Sequence, residues 1–327
     1  MTTIKAIRID KTGGPEVMAL KPVELGHPDP GEVTVRAKAI GVNFIDTYHR
    51  SGLYPVPLPS GIGMEASGIV EAVGKGVTTL KTGDRVAYAS GPVGAYAEAH
   101  NIAAASAVKI PDGIADDVAA SMMLKGLTAQ FLLRQTFKVE KGQTILWHAA
   151  AGGVGLIACQ WAKHLGATVI GTVGSEEKAK LAREHGCDHV IDYSKEDVAA
   201  RVTEITGGAK LPVVYDGVGK ATFMSSLDSL APLGLLVSFG NASGPVTDVN
   251  LGILAQKGSL YVTRPTMYHY AAKTPTAMQE MADDLFAVVK SGAVKIEVKQ
   301  RYALAEASRA HLDLEARKTV GASVLVP

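Results

Sequence analysis

The sequence predicts an α/β protein, a doubly wound parallel sheet carried beside a β-rich unit. Three observations predict it. From Thr144 onward, short β-rich apolar runs alternate with helical stretches. A glycine loop, His148-Ala-Ala-Ala-Gly-Gly-Val-Gly155, falls straight after the first of those runs and straight before the first of those helices. The first stretch of about 120 residues instead breaks into short strands punctuated by Gly and Pro.

In that first stretch, Met1 to Asp10 alternates apolar with charged residues, as an edge strand would. Glu32–Ile40 and Gly68–Val73 also alternate with period two. Turn-forming clusters separate the runs at Lys11–Pro15, His27–Gly31 and Tyr54–Gly63. The pattern predicts a β-rich unit.

After Thr144 the strands are apolar throughout, as they must be when a parallel sheet is covered on both faces. They are Thr144–His148, Thr168–Thr172, His189–Asp192, Val213–Asp216, Leu235–Phe239 and Ser259–Val262. Helical stretches lie between them at Gly153–Leu165, Glu176–His185, Lys195–Thr206 and Thr222–Leu230. Six strands meet the count of a doubly wound dinucleotide-binding sheet. Beyond Pro265 come a helix near Pro275–Ser291, a strand near Ile296–Tyr302 and a last helix–strand pair. That tail is too short to fold alone, so it is expected to return to the N-terminal unit. The expected domains are 1–124 with 266–327, and 125–265.

Composition excludes several classes. The chain has 327 residues, with 33 Lys+Arg against 32 Asp+Glu, a net charge of +1. That balance argues against a nucleic-acid binder, which shows a basic surplus. The only cysteines are Cys159 and Cys187, too few for a disulfide scaffold and in keeping with a reducing compartment. The N-terminus lacks the apolar segment of a signal peptide. The longest uncharged stretch, Gly142 to Ala162, carries Gln143, His148, Gln160 and four glycines, which suits a strand, loop and helix better than a membrane span. A cytoplasmic protein is expected.

The glycine loop carries the chemistry. Read as G-x-G-x-x-G, its three positions are Ala150, Gly152 and Gly155. Gly152 lets backbone N–H groups approach a pyrophosphate, and Gly155 lets the helix pack close to the strand. A tight turn without a ligand does not explain two adjoining glycines at a helix N-terminus. An NAD site would place Asp or Glu at the end of the second strand, on the ribose 2′-hydroxyl. Here that strand runs into Val173-Gly174-Ser175, with Glu176 and Glu177 one turn into the helix and Lys178 beyond. A small hydroxyl-bearing loop and a lysine leave room and charge for a 2′-phosphate, so the expected cofactor is NADPH. Ser175 can cap the helix and bind at once.

The spacing Gly142-Gln-x-x-Leu146-x-x-x-Ala150-Ala-Gly-Gly-x-Gly155-x4-Gln160-x-x-Lys163 resembles the quinone oxidoreductase and ζ-crystallin group of the medium-chain dehydrogenase/reductase superfamily. Gly41–Tyr48, Gly63–Gly68, Gly83–Val86 and Val262–Pro265 match further landmarks of that group, so the likeness spans the whole chain. It implies a GroES-like β-rich catalytic domain split around a Rossmann domain, with NADPH in the cleft between them. It also implies homodimers joined edge to edge through the sixth strand. Where zinc alcohol dehydrogenases of the superfamily carry their first cysteine and histidine ligands, this chain has Asn43 and Met64, neither of which suits Zn²⁺. No structural-zinc cysteines occur around Ser90–Ala95, so no metal is expected. His185-Gly-Cys187-Asp-His189 spans a helix end and the next strand, which should make its side chains diverge.

Without a metal, a bound nicotinamide would deliver hydride to an electrophile, for which a quinone is well suited. The resemblance places Asn43 and Tyr48 as hydrogen-bond donors beneath the nicotinamide, with Tyr54 and Arg264 as second choices. It implies cofactor contacts from Thr128, Gly152, Gly153 and Val154. Around the 2′-phosphate it implies Gly174, Ser175, Lys178 and Tyr193, and along the nicotinamide half Phe239, Gly240, Val262 and Arg264. Arg317 is expected as a second phosphate partner, the alternative being an ordinary surface charge. Two other readings use the same pieces: reduction of an enone or alkenal double bond, and non-catalytic NADPH binding in a crystallin-like or RNA-associated protein.

Overall fold

The structure, a computed structural model, describes residues 1–327. In chain order its first unit holds β1 (Thr2–Ile9), β2 (Ala19–Leu25), β3 (Glu32–Gly41), α1 (Phe44–Ser51), β4 (Ser60–Gly61), β5 (Ala66–Val73), β6 (Arg85–Tyr88), β7 (Ala99–Ala103), β8 (Ala107–Lys109) and most of α2 (Asp116–Phe131). The second unit follows with β9 (Thr144–Trp147), α3 (Gly153–His164), β10 (Thr168–Val173), α4 (Glu176–Glu184), β11 (His189–Asp192), α5 (Val198–Ile205), β12 (Leu211–Asp216), α6 (Phe223–Asp228), β13 (Leu230–Ser238), α7 (Gly252–Gln256), β14 (Tyr261–Thr263) and α8 (Met267–Ala271). The chain then returns to the first unit through α9 (Ala277–Lys290), β15 (Val298–Ala303), α10 (Ala307–Glu315) and β16 (Ala322–Val326). No helix is long and apolar enough to cross a membrane.

The first unit has a three-stranded sheet, β2-β1-β4, and a seven-stranded sheet, β15-β16-β3-β5-β6-β8, with β7 also paired to β3. Its core gathers Ile7, Ile9, Val33, Val35, Ile40, Val70, Tyr96 and Leu325, each aliphatic side chain contributing about 2 kcal/mol over exposure. β1 lies between β2 and β4 rather than at an edge. Ile4 and Ala6 pack to one side with Ala97 and Ala99 and Ile7 and Ile9 to the other in the main core, and the exposed Lys5 and half-buried Arg8 among them make this central strand alternate as an edge strand does. The β-rich reading also missed α1 and α2. α1 has only eight residues, set between Asn43 as N-cap and Gly52, which stops it in a left-handed conformation at φ +87°.

In the second unit every strand pairing is parallel, in the order β11-β10-β9-β12-β13-β14. That is the doubly wound order, reversing direction between β9 and β12. Leu146, Ile170, Ile191, Val214 and Leu236, one from each of five strands, share a core with Val202 of α5 and Leu227 of α6. The unit runs on to Lys273 because Tyr270 stacks on Phe131 at 4.7 Å and its hydroxyl accepts from Thr136 Oγ1 at 2.8 Å. Ser291–Lys295 belongs to it as well, since Gln160 exchanges two hydrogen bonds with the Lys295 backbone.

Candidate active site

In the second unit, β9 and β12 deliver their loops at the carboxyl edge of the sheet, where the strand order reverses. α3 begins at Gly153 with Gly152 as N-cap, and no side chain caps its first N–H groups. A Cβ on Gly155 would sit 2.5 Å from the Ala149 carbonyl oxygen and 2.6 Å from that of Ala150. Only glycine therefore lets the helix start this close to the strand. The Gly152 N–H is taken by the Ala149 carbonyl at 2.9 Å, so Gly152 makes the turn and the backbone N–H groups of Gly153 and Val154 after it could hold a pyrophosphate.

The neighbouring loop completes the same edge. β10 ends at Val173, and Ser175 caps α4 by accepting from the Lys178 N–H at 3.3 Å. A Cβ on Gly174 would meet the Tyr193 hydroxyl at 2.4 Å, so the exposed Tyr193 ring lies over Gly174. No acidic residue stands at the strand end, and Glu176 and Glu177 are exposed in the first turn of α4. These residues fit a dinucleotide, and the neutral strand end fits one bearing a 2′-phosphate.

Further along the sheet, Phe239 leans on Trp147 with ring centroids 5.4 Å apart. Arg264 follows β14 and donates to the Ser238 carbonyl and hydroxyl, both at 3.2 Å, and to the Gly240 carbonyl at 2.9 Å. Its guanidinium thereby braces the Phe239–Gly240 turn. Val262 is exposed on β14, the last strand of the sheet. Thr128 lies in the last turn of α2, half-buried.

The first unit gathers the other candidates around α1. Tyr48 and Tyr54 are half-buried and meet edge to face at 5.1 Å. Asn43 is only 4 % exposed. Its Nδ2 donates to Glu65 Oε2 at 2.6 Å, and its backbone N–H donates to Asp46 Oδ2 at 2.8 Å. Glu65 is fully buried and accepts from the Leu124 N–H at 2.8 Å, with Lys125 Nζ 3.7 Å away. Burial raises the Glu65 pKa, opposed by the charge of Lys125 and the bond from Asn43. Asn43 is therefore held by a buried acid, which takes one of its two amide N–H groups.

Arg317 is exposed in a left-handed conformation, at φ +58°, just after α10 in the first unit. His185 bonds the Leu181 carbonyl of its own helix, Cys187 is buried against Gly171, and His189 is exposed. No group of three His, Cys, Asp or Glu side chains is placed to hold a metal ion.

Sequence reasoning missed two buried polar clusters, Asp46–Tyr96–His311–Arg50 and His148–Thr172–Ser226–Asp216. Asp46 and Arg50 stand four apart on α1, a spacing visible in the sequence. Their partners Tyr96 and His311 come from distant segments and leave no local signal.

Residues 29–112 match the alcohol dehydrogenase GroES-like domain family, and residues 153–285 match the zinc-binding dehydrogenase family. The chain is 62% identical over 324 residues to a quinone oxidoreductase of Pseudomonas aeruginosa, covering 99% of each. It is 46% identical to a 2-haloacrylate reductase of a Burkholderia species, again covering 99% of each. The crystal structure of Escherichia coli quinone oxidoreductase complexed with NADPH superposes with a TM-score of 0.97 at 53% identity, over 99% of this chain and 100% of that one. With the glycine loop, the reversed strand order and the GroES-like unit in place, the chain belongs to the quinone oxidoreductase family of the medium-chain dehydrogenase/reductase superfamily.

Proposed function

We propose that this protein is an NADPH-dependent quinone reductase, in which the second unit is the cofactor domain and the first is the catalytic domain. The observation that carries the reading is the uncapped start of α3, with its glycine cradle, beside a second strand that ends in Gly174 and Ser175 without an acid. Gly152 makes the turn, and Gly153 and Val154 hold the pyrophosphate. Gly174, Ser175, Lys178 and Tyr193 hold the 2′-phosphate and adenosine side, with Arg317 as a further phosphate partner. Phe239, Gly240, Val262, Arg264 and Thr128 serve the nicotinamide half.

When bound, NADPH supplies the hydride. The protein's share is orientation and charge stabilisation. A reduced quinone oxygen is a stabilised phenolate, so a hydrogen-bond donor suffices and no strong acid is needed. Tyr48 is that donor, with Tyr54 packed against it. Asn43, its amide fixed by Glu65, offers its second N–H.

Initial rates with 1,4-benzoquinone and with a 2-haloacrylate test the reading, measured on the wild type and Tyr48→Phe. Quinone turnover well above haloacrylate turnover is expected. Tyr48→Phe should lower kcat by about tenfold or more with NADPH affinity unchanged. Turnover of the haloacrylate alone would assign the protein to double-bond reduction. NADPH binding without turnover of either would make it a binding protein.

We further infer a cytoplasmic homodimer, in keeping with two buried free thiols and an open sheet edge. β14 closes the six-stranded sheet with Tyr261 60 % and Val262 41 % exposed, an edge suited to pairing with a second copy. Sedimentation of a Tyr261→Lys/Val262→Lys variant should give a monomer where the wild type gives a dimer.

A further inference from the structure

At the root of the glycine loop, four buried polar side chains form a hydrogen-bond chain with a single direction. Asp216, at the end of β12, is surrounded by donors: the Val218 and Gly219 N–H groups at 2.8 and 3.0 Å, Thr222 Oγ1 at 2.7 Å, and Ser226 Oγ at 2.8 Å. The one proton of Ser226 is thereby committed to Asp216. His148 Nε2, 3.0 Å from Ser226 Oγ, must then be the donor of that pair. A neutral imidazole protonated on Nε2 presents a lone pair on Nδ1, and burial keeps His148 neutral by lowering its pKa. Thr172 Oγ1, 3.0 Å from Nδ1, donates to it and accepts from the Ala149 N–H at 3.3 Å. His148, Thr172, Asp216 and Ser226 are all essentially inaccessible.

The chain ends on a residue that needs help. Ala149 adopts φ +53°, the left-handed region that side-chain-bearing residues avoid. There the backbone turns out of β9 so that the Ala149 carbonyl can accept from the Gly152 N–H at 2.9 Å. We propose that Thr172 and His148 are positioning residues for the cofactor loop: through Ala149 they hold Gly152 and the start of α3 in the geometry that receives a pyrophosphate. The inference rests on the NADPH reading above. Because Asp216 also holds the Val218 and Gly219 N–H groups, one carboxylate braces both loops that flank the strand reversal.

The test sets shape against hydrogen bonding. Thr172→Val keeps the shape and deletes the hydroxyl, whereas Thr172→Ser keeps the hydroxyl and deletes a methyl. Fluorescence titration should show NADPH binding about tenfold weaker in Thr172→Val and near wild type in Thr172→Ser. Adenosine 2′-monophosphate, which has no pyrophosphate, should bind both variants as it binds the wild type. His148→Asn, which keeps an acceptor near Nδ1, should retain more NADPH affinity than His148→Gln. The reverse order for the Thr172 pair, or parallel losses for NADPH and the monophosphate, would reduce these residues to packing and overturn the proposal. Failure of the wild type itself to bind NADPH would overturn the cofactor reading and this inference with it, a result distinct from unaltered variants of a binding wild type.

Discussion

The Tyr96 hydroxyl donates to Asp46 Oδ2 at 2.9 Å, and the Tyr96 hydroxyl oxygen stands 3.0 Å from His311 Nε2. Arg50, which can only donate, faces His311 Nδ1 at 3.0 Å and pairs with Glu315 at 2.7 Å. His311 is therefore neutral and donates to Tyr96, which in turn donates to Asp46. This relay ties α10 to α1, the helix that carries Asn43 and Tyr48. Burial pushes the Asp46 carboxyl up to about 7, against the bonds from Asn43 and Tyr96 and the charge of Lys125, while Glu65 adds to it. Burial, aided by Arg50, pushes His311 down to about 3.

These two groups act on stability in opposite directions. The unfolded chain releases the Asp46 proton near 3.8, as an ordinary aspartate does, and the folded chain near 7, so this contribution is lost as pH rises through that window. The unfolded chain protonates His311 below 6.5, whereas the folded chain resists until about 3, so that contribution grows as pH rises from 3 to 6.5. Each is on the order of 4 kcal/mol, and in the wild type they offset. Urea unfolding between pH 4 and 6.5 should show stability rising with pH more steeply in Asp46→Asn than in the wild type, and less steeply in His311→Asn. His100, buried and pushed down to about 4, adds the same rise to all three. Equal slopes in the three proteins would refute the assignment.

Lys178 is half-buried at the start of α4, one turn beyond Ser175. Lys178→Ala should weaken NADPH binding by about tenfold, or about 1.4 kcal/mol, and leave NADH binding unchanged. Parallel titrations of the two cofactors read the difference directly.

Glu65 and Lys125 form a buried pair beneath Asn43. Glu65→Leu strands the lysine and the amide and should cost about 3 kcal/mol of unfolding free energy. Adding Lys125→Met should recover much of that loss. Activity should stay low in the double variant, because nothing then fixes Asn43. Chemical denaturation and kcat, measured on the wild type and these two variants, separate the two effects.

Gly155→Ala would drive a methyl into the carbonyls of Ala149 and Ala150, and backbone atoms cannot step aside as a flexible side chain can. A stability loss of about 2 kcal/mol or more is expected, together with loss of NADPH binding. Calorimetric unfolding with and without cofactor would show it, the ligand-induced rise in Tm disappearing in the variant.

The doubly wound unit was legible because each of its signals is local. Apolar runs such as Thr168–Val173, the loop from His148 to Gly155 and the cap at Ser175 all declare themselves within a few residues. The β-rich unit was legible only in outline. Its short helix α1 hides between two caps, and β1 reads as an edge strand because Lys5 and Arg8 fall among apolar residues that pack to opposite sides of the sheet. The polar clusters were illegible for a different reason. Tyr96 reaches Asp46 across 50 residues and His311 across 215, and no periodicity links them. Asn43 was visible as a candidate, but the buried carboxylate that holds it became apparent only once β5 and α2 were folded beside it.

The most direct test is a fluorescence titration of the purified protein with NADPH and with NADH, followed by addition of 1,4-benzoquinone to the NADPH-loaded protein. Tight NADPH binding, much weaker NADH binding and rapid oxidation on adding the quinone are the predicted result. A preference for NADH, or bound NADPH that no quinone oxidises, would contradict the account.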